Sequence, residues 1–181
     1  MQLSTLLSAL ALMAASSATP LLEPKARFPI TPIDTGYYYT LRNDYTGPKV
    51  LGISTPLLQL GMQLHSYPIV DSEQFHFVLL TSPPSLPKYA IRNKKLGGTY
   101  SFDVWNDDGV NSTEVRMRET GNYSGQFWSV EKWVREDGWR LVNDFTGEGK
   151  HLDVYSDTEQ AFLGTDDHSG QHWYFDVVGK I

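Results

Sequence analysis

The chain has 181 residues, no cysteine, and a net charge of −6 from 21 acidic and 15 basic side chains. Nucleic-acid binding rests on clustered Lys and Arg that neutralise phosphates, so this acidic balance excludes nucleic acid from the expected partners. Without disulfides the stability must come from a hydrophobic core, for which eight Phe, ten Tyr and five Trp provide large apolar surfaces.

Taken in chain order, residues 1–18 begin with an uncharged apolar run from Met1 to Met13, followed by small residues that include Ser16 and Ala18. The run is too short to span a bilayer and reads as a secretory signal peptide cleaved after Ala18, although a basic first region is missing. The remaining chain of roughly 160 residues is expected to be secreted and extracellular, with no membrane span, and to form one domain. Residues 19–35 carry Pro20, Pro24, Pro29 and Pro32 without hydrophobic periodicity. Proline removes amide donors, so this stretch is expected to be an extended arm or a removable pro-segment.

From residue 36 onward the sequence repeats. Tyr39-Thr-Leu-Arg-Asn43, Tyr89-Ala-Ile-Arg-Asn93 and Trp139-Arg-Leu-Val-Asn143 are spaced by 50 residues. Each is followed by a glycine turn, at Gly47, Gly97-Gly98 and Gly147/Gly149, and then by Leu51-Gly-Ile53, Phe102-Asp-Val104 or Leu152-Asp-Val154. Each copy closes on Gln-x-aromatic: Gln74-Phe-His76, Gln126-Phe-Trp128 and Gln171-His-Trp173. Apolar and polar residues alternate with period two between Gly, Asn, Asp and Pro, so the copies are made of strands. A period near 50 residues calls for a repeat architecture, and three blades are too few for a propeller ring. The predicted fold is therefore all-β, a β-trefoil of three pseudo-equivalent four-strand units spanning about residues 36–80, 87–130 and 136–178 within a domain of residues 36–181. Alternation places Tyr39, Leu41 and their counterparts inside and turns Gly52, Asp103 and Asp153 outward.

The segment Asn143-Asp-Phe-Thr-Gly-Glu-Gly-Lys-His-Leu-Asp-Val154 with Ser169-Gly-Gln-His-Trp173 resembles one unit of the ricin-B-type lectins, also described as family 13 carbohydrate-binding modules. Ile91-Arg-Asn93, Phe102-Asp-Val104 and Ser124-Gly-Gln-Phe-Trp128 resemble a second. The cysteine-free Ser-Gly-Gln-x-Trp form is similar to members secreted by filamentous fungi, which points to such a source. The resemblance implies a secreted, non-catalytic protein whose partners are glycans or glycoproteins. Its Asp accepts hydrogen bonds from sugar hydroxyls while an aromatic ring covers the sugar's C–H face. Carried over by position, the sugar contacts fall on Asp103 and Gln126 in the second unit. In the third they fall on Asp153, Phe162 or Tyr155, His168 and Gln171. Gly52 replaces the Asp in the first unit, and Gly125 and Gly170 stand where the family carries Asn. Arg116, Met117 and Arg118 occupy the stretch that would supply the second unit's ring.

Asn111-Ser-Thr113 and Asn122-Tyr-Ser124 are N-glycosylation sequons within the second unit. No nucleophile elbow is present, and His168 with His172 is read as solvated or interfacial, so no enzyme activity, metal or cofactor is expected. Adjacent Asp166-Asp167 and Glu136-Asp137 read as turn formers. The alternative function is a secreted trefoil protease inhibitor or host-directed effector, with a host protease as partner. It would act through residues 81–88, which contain Pro84 and Leu86, or through the insertion at residues 65–71.

Overall fold

The computed structural model describes residues 33–54, 58–81, 86–105, 113–133 and 137–181. The leader, nearly all of the proline-rich segment, Pro84, Asn111 and Glu136 therefore lie outside the described residues. Ile33 and Asp34, at the end of that segment, pack onto the barrel: Ile33 is buried, and the Asp34 N–H donates to the Tyr39 hydroxyl at 2.8 Å.

The first unit comprises β1 (Tyr37–Asn43), β2 (Val50–Ser54), β3 (Gln59–Gln63) and β4 (Phe75–Thr81). The second comprises β5 (Lys88–Asn93), β6 (Tyr100–Val104), β7 (Val115–Glu119) and β8 (Trp128–Lys132). The third comprises β9 (Trp139–Asn143), β10 (His151–Val154), β11 (Ala161–Gly164) and β12 (Trp173–Lys180). Pairings β1–β4, β4–β5, β5–β8, β8–β9, β9–β12 and β12–β1 close a six-stranded antiparallel barrel. The hairpins β2–β3, β6–β7 and β10–β11 lie off this ring and meet one another through Gln59↔Arg116, Gly61↔Gln160 and Glu114↔Phe162. Closure leaves the barrel strands without free edges, and the three hairpins close its end. This is the β-trefoil expected from the repeat.

The inward positions form one core. Tyr39, Leu41, Tyr89, Ile91, Leu141, Phe77, Phe102, Trp128 and Trp173 are all buried. Trp128 stacks on Phe102 with centroids 4.7 Å apart, and its indole N–H donates to the Phe102 carbonyl. Trp173 repeats this with Leu152, so both buried donors are satisfied. Trp139 is only half-buried at the barrel rim.

The Asn that ends the first strand of each unit has a role that the repeat marked without explaining. Asn43, Asn93 and Asn143 are fully buried. The Asn143 amide donates to the Gly125 carbonyl and its Oδ1 accepts from the Phe145 N–H. Asn93 bridges the Ser72 carbonyl and the Lys95 N–H, and Asn43 bridges the Gly170 carbonyl and the Thr46 N–H. Each Asn thus ties the tight turn closing one unit to the turn opening another. Four residues beyond each Asn, Gly47, Gly97 and Gly147 take φ of 63°, 64° and 73°, a left-handed conformation that excludes most side chains.

One alignment is corrected. The last strands pair Phe75 with Asn93, Trp128 with Asn143 and Trp173 with Asn43. Phe75, and not His76, therefore occupies the Trp position in the first unit. The preceding 3-10 turns agree, ending at Glu73, Gln126 and Gln171. Glu73 rather than Gln74 is the counterpart of the motif glutamine.

Candidate functional site

The third unit builds its cleft from the turn after β10, the facing strand β11 and the closing 3-10 turn. Asp153 lies at its base, opposite Phe162 in the β10–β11 register. Asp103 and Asp153 face away from the barrel core, as alternation predicts, yet they are only 2% and 5% exposed. Alternation determines the face of a strand, while the tight turn at residues 169–171 packs over that face. Asp153 Oδ1 accepts from the Val154 N–H at 2.7 Å, and Oδ2 accepts from the Gln171 amide at 3.0 Å. Gly170 is required there, since a Cβ would come within 2.2 Å of Asp153 Oδ1. The glycine substituted for the family's Asn thus makes room for the carboxylate.

Gln171 is oriented from behind. Its NH2 donates to Asp153 and to the Thr165 carbonyl, so its oxygen faces His151 Nδ1 at 3.1 Å. That oxygen only accepts, so His151 carries its proton on Nδ1 and turns Nε2 toward Arg140. Burial, then the neighbouring Arg140 charge, lowers the His151 pKa, which favours this neutral form. The relay His151–Gln171–Asp153 is peculiar to the third unit, because Val50 and Ser101 occupy the corresponding strand positions.

Tyr155 and Phe162 form a stacked plate, with centroids 3.9 Å apart and planes at 10°. Both sequence-derived ring candidates thus belong to one surface. Tyr45, half-exposed, enters from the first unit, and His168 and Ser169 form a polar rim. The cleft has a volume of about 380 Å³ and combines an aromatic surface with polar groups, as small-molecule sites do. His172 departs from expectation. It is buried, with Nε2 2.7 Å from Asp167 and its ring against Trp133. His168 is solvent-exposed as expected.

The second unit repeats the base but not the wall. Asp103 accepts from the Gln126 amide at 3.0 Å, and Gln126 also donates to the Glu119 carbonyl. Burial raises the Asp103 pKa, against the opposing effect of the Gln126 hydrogen bond. Arg116 takes the place of Phe162 opposite Asp103. Arg116 and Arg118 lie over the Trp105 ring at 4.7 and 4.3 Å, so guanidinium groups occupy the plate that is aromatic in the third unit. Asn122, Tyr123 and Phe145 line the remaining cleft of about 470 Å³.

In the first unit Gly52 faces Gly61, and the Gln63 side chain lies across Gly52, where an added Cβ would meet its amide at 2.1 Å. The space of the missing Asp is filled. Glu73 is buried in the glutamine position, and its Oε2 has no hydrogen-bond partner.

Sequence reasoning missed Tyr45, Ser169 and His151. Tyr45 had a signal: Asn43-Asp-Tyr-Thr-Gly47 matches Asn143-Asp-Phe-Thr-Gly147, an aromatic two residues beyond the buried Asn. The first copy supplies Tyr45 to the third cleft and the third copy supplies Phe145 to the second, whereas the second copy has Lys95 there, so reading copies singly concealed it. Residues 82–85 of the alternative inhibitory loop lie outside the described residues; Leu86, beyond them, is partly exposed. Among the described residues no group of three or more His, Asp or Glu is placed to hold a metal, and no helix is long and apolar enough to cross a membrane.

The fold defines a β-trefoil whose second and third units each hold an Asp–Gln pair beneath the closing turn. No protein-family description and no curated protein matches this sequence. Solved structures do. A designed three-fold symmetric protein, ThreeFoil, has 23% identity and a TM-score of 0.59 over 76% of this chain and 96% of its own. SeviL, solved bound to asialo-GM1 saccharide, has 17% identity and a TM-score of 0.57 over 78% of this chain and 98% of its own. The Polyporus squamosus lectin, solved with an influenza-binding sialylated epitope, has 14% identity and a TM-score of 0.62 over 79% of this chain and 49% of its own.

Proposed function

We propose that the protein is a secreted, non-catalytic carbohydrate-binding protein of lectin type, with the third-unit cleft as its principal site. The observation that carries this reading is the Tyr155–Phe162 plate in one cleft with Asp153, lined also by Tyr45, His168 and Ser169. A pyranose offers one C–H face to such a ring and a circle of hydroxyls to such polar groups. Two structures sharing the fold were solved with oligosaccharides, which supports the same use here. Asp153 acts chiefly by shaping the base of the cleft, since Val154 and Gln171 already engage its oxygens. Glycans or glycoproteins are the partners. A fungal source agrees with the motif form.

Screening the leaderless protein on a glycan array, alongside Phe162→Ala and Asp153→Ala, tests the reading. One sugar class is expected to bind the wild type, and each variant is expected to lose roughly two- to tenfold in affinity, an aromatic contact alone contributing about 0.5–1.5 kcal/mol. Binding unchanged in both variants would place the site elsewhere. If residues 81–88 instead serve an inhibitor, no glycan binds, and a papain-like or serine protease is inhibited in a manner sensitive to Leu86.

A further inference from the structure

The second-unit cleft contains a residue that the sugar-binding reading does not use. Asn122 is exposed, lines the cleft with Arg118, Tyr123 and Phe145, and heads the sequon Asn122-Tyr-Ser124. Tyr123 beside it packs its ring against Gly121 and is still 62% exposed. The equivalent rim residue of the third unit, also two before its 3-10 turn, is Asp167, whose carboxylate is engaged by His172. The two clefts therefore differ at one point in a chemically specific way: a glycan acceptor in one, a paired acid in the other.

We propose that Asn122 carries an N-linked glycan whose first N-acetylglucosamine lies in the second-unit cleft against Tyr123, so that this cleft is filled by the protein's own sugar. The inference rests on the export and sugar-binding readings given above. Its physical basis is tethering. A sugar bonded to the amide nitrogen of a cleft-lining residue is present at an effective concentration on the order of millimolar or higher, with no translational entropy left to lose. At such a concentration a site with a dissociation constant at or below about millimolar is at least half filled. Arginines already cover Trp105, so Tyr123 and Phe145 are the rings left for the sugar's C–H face. The consequence is valency: the third cleft alone remains open to external ligands, although two units retain the Asp–Gln pair.

The test uses the full chain secreted from yeast through its own leader. Three forms are compared: glycans trimmed by an endoglycosidase to a single N-acetylglucosamine, glycans removed completely from the folded protein, and Asn122→Gln. Peptide mass mapping should find one residual N-acetylglucosamine on Asn122 in the trimmed form. Tetranitromethane should nitrate Tyr123 slowly in that form and rapidly in the other two. Titration with an array-positive sugar should show the number of molecules bound per chain doubling when the Asn122 sugar is absent. An unmodified Asn122, or Tyr123 reacting equally in all forms, overturns the inference. If no form binds any sugar yet Tyr123 is protected only by the single N-acetylglucosamine, the carbohydrate-binding reading fails while the occupancy of the cleft stands.

Discussion

The first and third units close on the same tight turn yet hold opposite chemistry beneath it. The third pairs Asp153 with the Gln171 amide, whereas the first has Gly52, covered by the Gln63 side chain, at the Asp position and the buried Glu73 carboxylate at the Gln position. A Glu placed against an Asp there would bury two like charges, so acid at one position goes with its absence at the other. The barrel is unaffected, because Phe75 and Trp173 fill the same inward place on the other side of the turn. The trefoil thus has two separable layers. An inner one is repeated three times, and an outer one has diverged from unit to unit.

The inner layer is tested by the register of the first unit. Phe75→Ala should cost about 3–5 kcal/mol in chemical denaturation, as deletion of a buried aromatic does, whereas His76→Ala should stay within about 1 kcal/mol. The reverse order would restore His76 to the Trp position and undo the equivalence.

The outer layer is tested by importing the first unit's chemistry into the third. Gln171→Glu should destabilise the protein by about 1–3 kcal/mol at neutral pH, since it removes a buried donor and sets a carboxylate against Asp153. Adding Asp153→Gly should cost less than it does alone, and a double-mutant cycle reads that coupling directly. Strict additivity would mean that the two positions vary independently.

A smaller effect separates the units by pH. Burial, followed by a nearby arginine, lowers the pKa of His76 in the first unit and of His151 in the third. The unfolded chain then binds more protons, so their contribution is fully present above about pH 6.5 and is lost as pH falls through the lowered folded values. Asp103 works in the opposite sense at lower pH. Its folded pKa is raised by burial, so its contribution is present below the ordinary carboxylate value and lost as pH rises through the folded one. Denaturation midpoints recorded across this range should fall between pH 6.5 and 5. His151→Val, which copies Val50, should flatten part of that slope. An unchanged slope would remove His151 from the account.

The inner layer was legible in the sequence because each inward residue recurs at a fixed interval and period two assigns its face. Three features were not. The first unit's register slipped by one because Gln74 follows Glu73, and an isolated Gln-x-aromatic string fits either alignment. The burial of Asp103 and Asp153 depends on Gly125 and Gly170 passing close above them, an approach that strand periodicity does not encode. His151 stands on β10 two residues before Asp153 but acts through Gln171, which lies beyond β11, and the Tyr45 ring comes from the first unit, so the third copy alone does not contain the site.

The most direct test of the central claim is a map of NMR chemical-shift changes as an array-positive sugar is titrated into the isotopically labelled protein. Changes should concentrate at Tyr45, Tyr155, Phe162, His168 and Gly170, with Gly52 and Gln63 in the first unit unmoved. Changes centred on the first unit, or on residues 81–88, would contradict it.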